Sequence, residues 1–121
     1  MILHESGEDY LEAILVLREK NKDVHSIDIA NQLGYSKPSV SIAMKKLREN
    51  GYITVEEGGH IALTESGEAA AIRVYTRHKV LTELFMKMGV SRETAALDAC
   101  KVEHDLSEET FDCIQSYLEK A

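Results

Sequence analysis

Between Ala99 and His104 the chain reads Ala-Cys-Lys-Val-Glu-His, placing a thiol, a carboxylate and an imidazole within five residues. On a single helix, Cys100 and His104 lie on adjacent turns with Glu103 beside them, so all three can point one way. Soft, borderline and hard donors together suit a divalent transition metal better than calcium or magnesium. The same face also arises in an ordinary helix with one small core Cys and two solvated polar residues, so other segments must complete any site. Near the amino terminus Glu8, Asp9 and Glu12 cluster at the start of an amphipathic pattern, where acidic residues also favour the helix dipole. Asp9 and Glu12, three apart, share a helix face and can present two carboxylates to one ion.

The elements that must position these groups follow from periodicity and punctuation. Tyr10, Leu11, Ile14, Leu15 and Leu17 predict a helix from about His4 to Lys20, with Ser6 as N-cap. Ser26 is expected to cap a short helix ending at Leu33 before Gly34. Ser36 is expected to cap a longer one, with Pro38 in its first turn, running to about Asn50 before Gly51. Ala30 is small where two helices would cross, Gly34 permits a tight turn, and Leu33 and Val40 can pack between the helices, the pattern of a helix-turn-helix. Tyr52–Val55 and His60–Thr64 alternate as strands around Gly58-Gly59. A hairpin directly after a helix-turn-helix is a wing, and the order of three helices then a wing is more specific than the helix pair alone. A long helix is expected from Thr64 or Ser66 to about Met88, burying Ala69, Ile72, Val80, Leu81, Leu84 and Phe85. One capped by Ser91 should run through Leu106, and another opens at Ser107-Glu108-Glu109 and reaches Lys120.

Charge points to the same surface. The 121 residues carry a net charge of −7, which excludes a protein coated in nucleic acid or held on an anionic membrane. From Ser36 to Tyr52, however, Lys37, Lys45, Lys46 and Arg48 oppose only Glu49, a local +3 that leaves −10 elsewhere. Lys37, Ser39 and Ser41 occupy the amino-terminal part of the second helix, the part offered to base edges, while Lys45, Lys46 and Arg48 are placed for phosphates. A solvated basic face is the bland alternative.

No apolar run approaches the roughly 20 residues of a membrane helix, and a cytoplasmic location is expected. Cys100 and Cys113 form no Cys-x-x-Cys pair and are expected to remain thiols. The zinc-protease, phosphate-loop and nucleophile-elbow signatures are missing, so the sequence reads as a non-enzyme. The fold expected is mainly α with a small β-hairpin wing: a winged helix-turn-helix domain over 1–72 and a helical metal-binding and dimerisation domain over 73–121. Leu97, Val102, Leu106, Phe111, Ile114 and Leu118 exceed what two short helices and part of a long one can enclose, which suggests a symmetric homodimer.

The set Glu8-Asp9-Tyr10-Leu11-Glu12, Asp28-Ile29-Ala30, Pro38-Ser39-Val40-Ser41, Gly51-Tyr52-Ile53, Leu63-Thr64-x-x-Gly67, Arg77-His78 and Cys100-x-x-Glu103-His104-x-Leu106-Ser107 strongly resembles the diphtheria toxin repressor family of metal-dependent regulators. The resemblance runs essentially end to end and is nearest to the family's short, two-domain manganese transport regulator branch, without the SH3-like domain of longer members. It implies a winged-helix domain joined to a dimerisation domain, with activating metal bound between them. Carried over by position, Asp9, Glu12, His78 and Glu103 would surround one metal. A second would share Glu12 and Glu103 and add Cys100 and His104. At Cys100 the manganese branch has a carboxylate and the iron branch this Cys, whereas Asp9 follows the manganese branch. The ancillary ligands of the iron branch fall at Thr82 and Ala96, with Glu83 one residue out of register, so the pattern is a hybrid.

The implied cofactor is Fe(II) or Mn(II), with Zn(II) or Co(II) able to bind in vitro. The implied partners are double-stranded operator DNA and a second copy of the chain, with no membrane and no organic cofactor. The function implied is a metal-activated repressor of iron or manganese uptake genes. The alternative is a winged-helix regulator responding to redox state, through Cys100, or to a small organic effector.

Overall fold

The computed structural model describes residues 5–20 and 23–120. His4, expected at the start of the first helix, lies outside them. The chain divides into two compact units, Met1–Ile72 and Arg73–Ala121.

In the first unit, α1 (Glu5–Lys20) is followed by α2 (Ser26–Leu33), α3 (Lys37–Glu49), and an antiparallel hairpin of β1 (Ile53–Val55) and β2 (Ile61–Leu63). The mainly helical fold with a two-stranded wing is therefore as the sequence indicates. Leu11, Ile14, Val24, Ile29, Val40, Ile53 and Ile61 are almost wholly buried, each contributing roughly 1.5–3 kcal/mol of transfer free energy. Gly34 takes φ +73°, and its N–H and that of Tyr35 both donate to Ala30 O (2.9 and 3.1 Å), closing α2. A residue with a Cβ adopts this conformation only at a cost, so the turn selects glycine. Ser36 caps α3, its Oγ accepting from Ser39 N at 3.3 Å.

Two expected caps fall inside their helices. Ser6 lies inside α1, which already begins at Glu5. Ser26 is the first helical residue of α2, and His25 holds the cap position because Asp28 Oδ2 accepts from His25 N at 2.9 Å.

In the wing, Ile53 pairs with Leu63, Thr54 with Ala62 and Val55 with Ile61. Ile61 N also donates to Val24 O (2.8 Å), tying the second strand to the segment before α2. Thr64 joins the hairpin to α4 (Glu65–Lys87): its Oγ1 donates to Gly51 O (2.6 Å) and accepts from Gly67 N (3.1 Å).

The second unit holds most of α4, then α5 (Arg92–Val102) and α6 (Glu108–Lys120). Along α4 the buried positions are Gly67, Ala71, Val74, Arg77 and Leu81, while Ala69 and Ile72 are exposed. Of the apolar positions expected, Leu81 is buried, Val80, Leu84 and Phe85 are partly buried, and only Ala69 and Ile72 turn outward; Gly67, Ala71, Val74 and Arg77 complete the inward stripe. Among the described residues no helix is long and apolar enough to cross a membrane.

Candidate metal centre and nucleic-acid interface

α5 stops at Val102, four residues short of the expected Leu106, so Cys100 is helical while Glu103 caps the helix and His104 lies in the turn beyond. The helical bonding ends as Glu103 N donates to Ala99 O (2.9 Å) and Asp105 N then takes the shorter loop to Val102 O (3.0 Å). Arg77 holds this turn from inside. Only 2 % exposed, it donates from Nη1 to Glu103 O (3.0 Å) and Leu106 O (2.7 Å), and its guanidinium stacks 5.2 Å from the Phe111 ring centre. Both carbonyls lie past the end of α5, out of reach of its own N–H groups, and Arg77 bonds them. Sequence reading treated Arg77 only as a neighbour of His78. The signal for its role is a long cation on the buried stripe of α4 that must find acceptors.

Within this second unit, a ring nitrogen of His78, the Cys100 sulfur and a Glu103 carboxylate oxygen all lie within 4.8 Å of one another. His78 Nδ1 and Glu103 Oε2 are 3.0 Å apart, and Thr82 Oγ1 donates to the His78 carbonyl at 2.7 Å. The Cys100 sulfur first, and the Glu103 carboxylate next, raise the His78 imidazole from 6.5 to about 10. The Glu103 side chain is fully buried. Its Oε1 has no hydrogen-bond partner among the described residues, and His104 Nε2 stands 3.6 Å away. A buried carboxylate oxygen left unbonded is costly. With an imidazole and a thiol alongside, it is an arrangement that fits a divalent cation. Asp9 and Glu12 stand on α1 of the first unit, one helical turn apart and partly buried.

The basic surface is α3. Lys37, Ser39, Ser41, Lys45, Lys46 and Arg48 are all exposed. Lys46 and Arg48 fall in the last turn, where Asn50 Nδ2 donates to Lys46 O at 2.7 Å. Sequence reading missed Ile42 (59 % exposed), three residues after Ser39 on this helix, and Tyr35 (44 %) just before it. Large apolar groups left in solvent beside exposed Ser and Lys make a surface able to meet thymine methyls as well as phosphates.

Comparison with known proteins agrees with this geometry. Residues 2–61 match the iron dependent repressor N-terminal DNA-binding domain, and residues 64–121 match the iron dependent repressor metal-binding and dimerisation domain. An HTH-type transcriptional regulator of Methanocaldococcus jannaschii is 33% identical over 120 residues, spanning 98% of this chain and 96% of that protein. The chain belongs to the iron-dependent, or diphtheria toxin, repressor family. Within it, the transcriptional regulator MntR of Escherichia coli O157:H7 is 34% identical over 113 residues (93% of this chain, 73% of that protein). A manganese-dependent transcriptional repressor solved in complex with manganese is 28% identical with a TM-score of 0.84, over 93% of this chain and 52% of that one, so this chain spans about half of that structure. Members of the family are DNA-binding, dimerising regulators of transcription, and this chain is a metal-responsive regulator of that kind rather than an enzyme.

Proposed function

We propose that this chain is a repressor of metal-uptake genes whose operator binding is switched on by Fe(II), with Mn(II) as the alternative activator. One observation carries the reading: the fully buried Glu103 carboxylate, with an oxygen lacking a hydrogen-bond partner beside His78 and Cys100, in a chain whose α3 is basic. The proposed donors are His78, Cys100, Glu103 and His104, joined by Asp9 and Glu12 on the family pattern. The thiol favours Fe(II), Co(II) or Zn(II), whereas the carboxylates suit Mn(II) and Fe(II), which makes Fe(II) the ion both donor types accept.

When bound, the cation supplies positive charge among carboxylates that otherwise repel one another and DNA phosphates. Glu103 orients the donor set, since its backbone is fixed by Arg77 and its Oε2 by His78. His78 gives up a proton on loading. On α3, Lys45, Lys46 and Arg48 neutralise phosphates while Lys37, Ser39 and Ser41 address base edges.

We place the working protein in the cytoplasm as a homodimer on double-stranded operator DNA, with two α3 helices in successive major grooves. In the second unit, Leu97 (61 %), Tyr117 (69 %) and Met88 (71 %) are exposed. A mostly apolar groove of about 460 Å³ is lined by Leu84, Glu109, Thr110, Cys113, Ile114 and Tyr117. An apolar face of this kind supports self-association. Gel shifts on promoter DNA from metal-uptake genes, with and without Fe(II) or Mn(II), test the reading. A shift that appears only with metal is expected, and metal-independent sequence-specific binding would overturn it.

A further inference from the structure

A separate cluster of two imidazoles and a carboxylate lies wholly within the winged-helix unit, at the turn end of the wing. The Ile61 N to Val24 O bond (2.8 Å) sets the β2 strand beside the extended segment leading into α2. Val24 and Ile61 are 1 % and 2 % exposed, so both point into the core. In extended chain the neighbours of an inward residue point outward. Asp23, His25 and His60 flank this pair and project together on the outer side. His25 Nε2 lies 3.0 Å from Asp23 Oδ2, and His60 Nδ1 lies 2.5 Å from Asp23 Oδ1. The two rings are edge to face with centres 6.4 Å apart.

The backbones carrying these groups are held independently of them. His25 caps α2, donating from N to Asp28 Oδ2 (2.9 Å) while its carbonyl accepts from Asp28 N (3.0 Å). His60 follows the Gly58-Gly59 turn, and its carbonyl accepts from Glu56 N (2.8 Å). A Cβ at Gly59 would come within 3.4 Å of His25 Nδ1, so the turn is seated against that ring. The three side chains remain 68 %, 34 % and 30 % exposed, respectively, leaving room for water.

We propose that Asp23, His25 and His60 form a binding site for a borderline divalent cation of the Zn(II) type, distinct from the Glu103 centre, which pins the wing turn to the start of the helix-turn-helix. Two imidazoles and one carboxylate with an open side are a three-donor set that zinc takes with water in the fourth position. Calcium and magnesium prefer all-oxygen shells. With Zn–N near 2.0–2.1 Å, two imidazoles on one tetrahedral ion have ring centres roughly 5 Å apart. The rings therefore close by about 1 Å on loading. Each neutral imidazole carries one ring proton, which on loading sits on the nitrogen facing away from Asp23 and leaves the other nitrogen's lone pair for the ion. Wing and α2 then share a ligand bond in addition to the backbone bond at Val24 and Ile61.

Zn(II) titration of the full chain, followed by calorimetry and by the amide NMR signals of residues 56–61, tests the proposal. Glu103→Gln, which disables the other centre, should still bind one Zn(II) at micromolar or tighter affinity and shift the wing amides. His60→Ala in the same background should lose that binding at least tenfold, and the wing amides should no longer respond. Asp23→Asn, which preserves side-chain shape, should weaken it similarly and serves as the check should His60→Ala perturb the wing. Zn(II) affinity unchanged by either substitution, wing amides indifferent to Zn(II), or saturation only at millimolar metal would each overturn the site and leave a hydrogen-bonded triad.

Discussion

Glu103→Gln keeps the volume and planarity of a fully buried side chain and removes its charge. In the metal-free protein it loses the charge-assisted contact with His78 at 3.0 Å, a contribution of about 1.5–3 kcal/mol. Against this, a neutral amide is easier to bury than a carboxylate with an unbonded oxygen. The two effects nearly offset, so the metal-free melting temperature should change little. Metal binding should change a great deal. Loss of an outer-shell partner already weakens metal affinity by about 10–100-fold, so loss of a carboxylate ligand should cost at least the upper figure. A cation present at 100 times the wild-type Kd stabilises the wild type by about 2.7 kcal/mol, and after a 100-fold weakening by only about 0.4 kcal/mol. At roughly 4 °C per kcal/mol, the metal-induced rise should fall from about 11 °C to below about 2 °C. Anaerobic differential scanning fluorimetry with Fe(II) or Mn(II), beside a chelator control, reads both quantities. An undiminished metal-induced rise in the variant would refute the assignment of Glu103 as a ligand.

Further expectations concern charge, packing and protonation. Lys45→Ala with Lys46→Ala should weaken DNA binding across sequences and, with four lysines removed per dimer, reduce the slope of log affinity against log salt by about 3.6, measured by anisotropy at several salt concentrations. Gly67→Ala should destabilise the winged-helix unit by about 3 kcal/mol or more, because the added Cβ would stand 1.9 Å from the Tyr52 carbonyl oxygen. Urea denaturation would show this as a lowered midpoint. His78 has its imidazole raised to about 10 by Cys100 and then Glu103. Its contribution to metal-free stability is therefore fully present below about 6.5 and is lost as pH rises through about 10. Loading must remove this proton, so metal affinity should rise with pH over that window by up to tenfold per unit. An imidazole NMR titration midpoint near 6.5 in the metal-free protein would contradict this.

The order of elements was legible because punctuation and period agree along most of the chain. Gly34 at φ +73° and the Gly58-Gly59 turn sit where the apolar pattern breaks, and Ser36 caps α3 as its spacing indicates. The helix ends were less legible, since a cap depends on which side chain reaches the free N–H groups, and Asp28 selects His25 over Ser26. The end of α5 was hidden for a tertiary reason. Periodicity continues to Leu106, but Arg77, 26 residues upstream of Glu103, supplies the bonds that let the helix stop at Val102. That early stop takes His104 off the helix and turns the Glu103 carboxylate toward His78. The pairing of His78 with Glu103 could come from the sequence only through resemblance, because no local spacing links α4 to α5; that resemblance assigns Cys100 to a different ion, whereas the structure brings its sulfur together with His78. Likewise Ile42 counts as apolar in any pattern, and only its 59 % exposure marks it as part of the α3 surface.

The most direct test of the account is an anaerobic titration of Fe(II) or Mn(II) into the full chain with a fluorescent duplex recovered by binding selection in the presence of metal. Anisotropy would report DNA binding while metal per chain is measured in the same samples. DNA affinity should rise at least tenfold as metal loads to a fixed stoichiometry, collapse on chelation, and fail to rise in Glu103→Gln. Equal affinity for the duplex with and without metal would contradict the account.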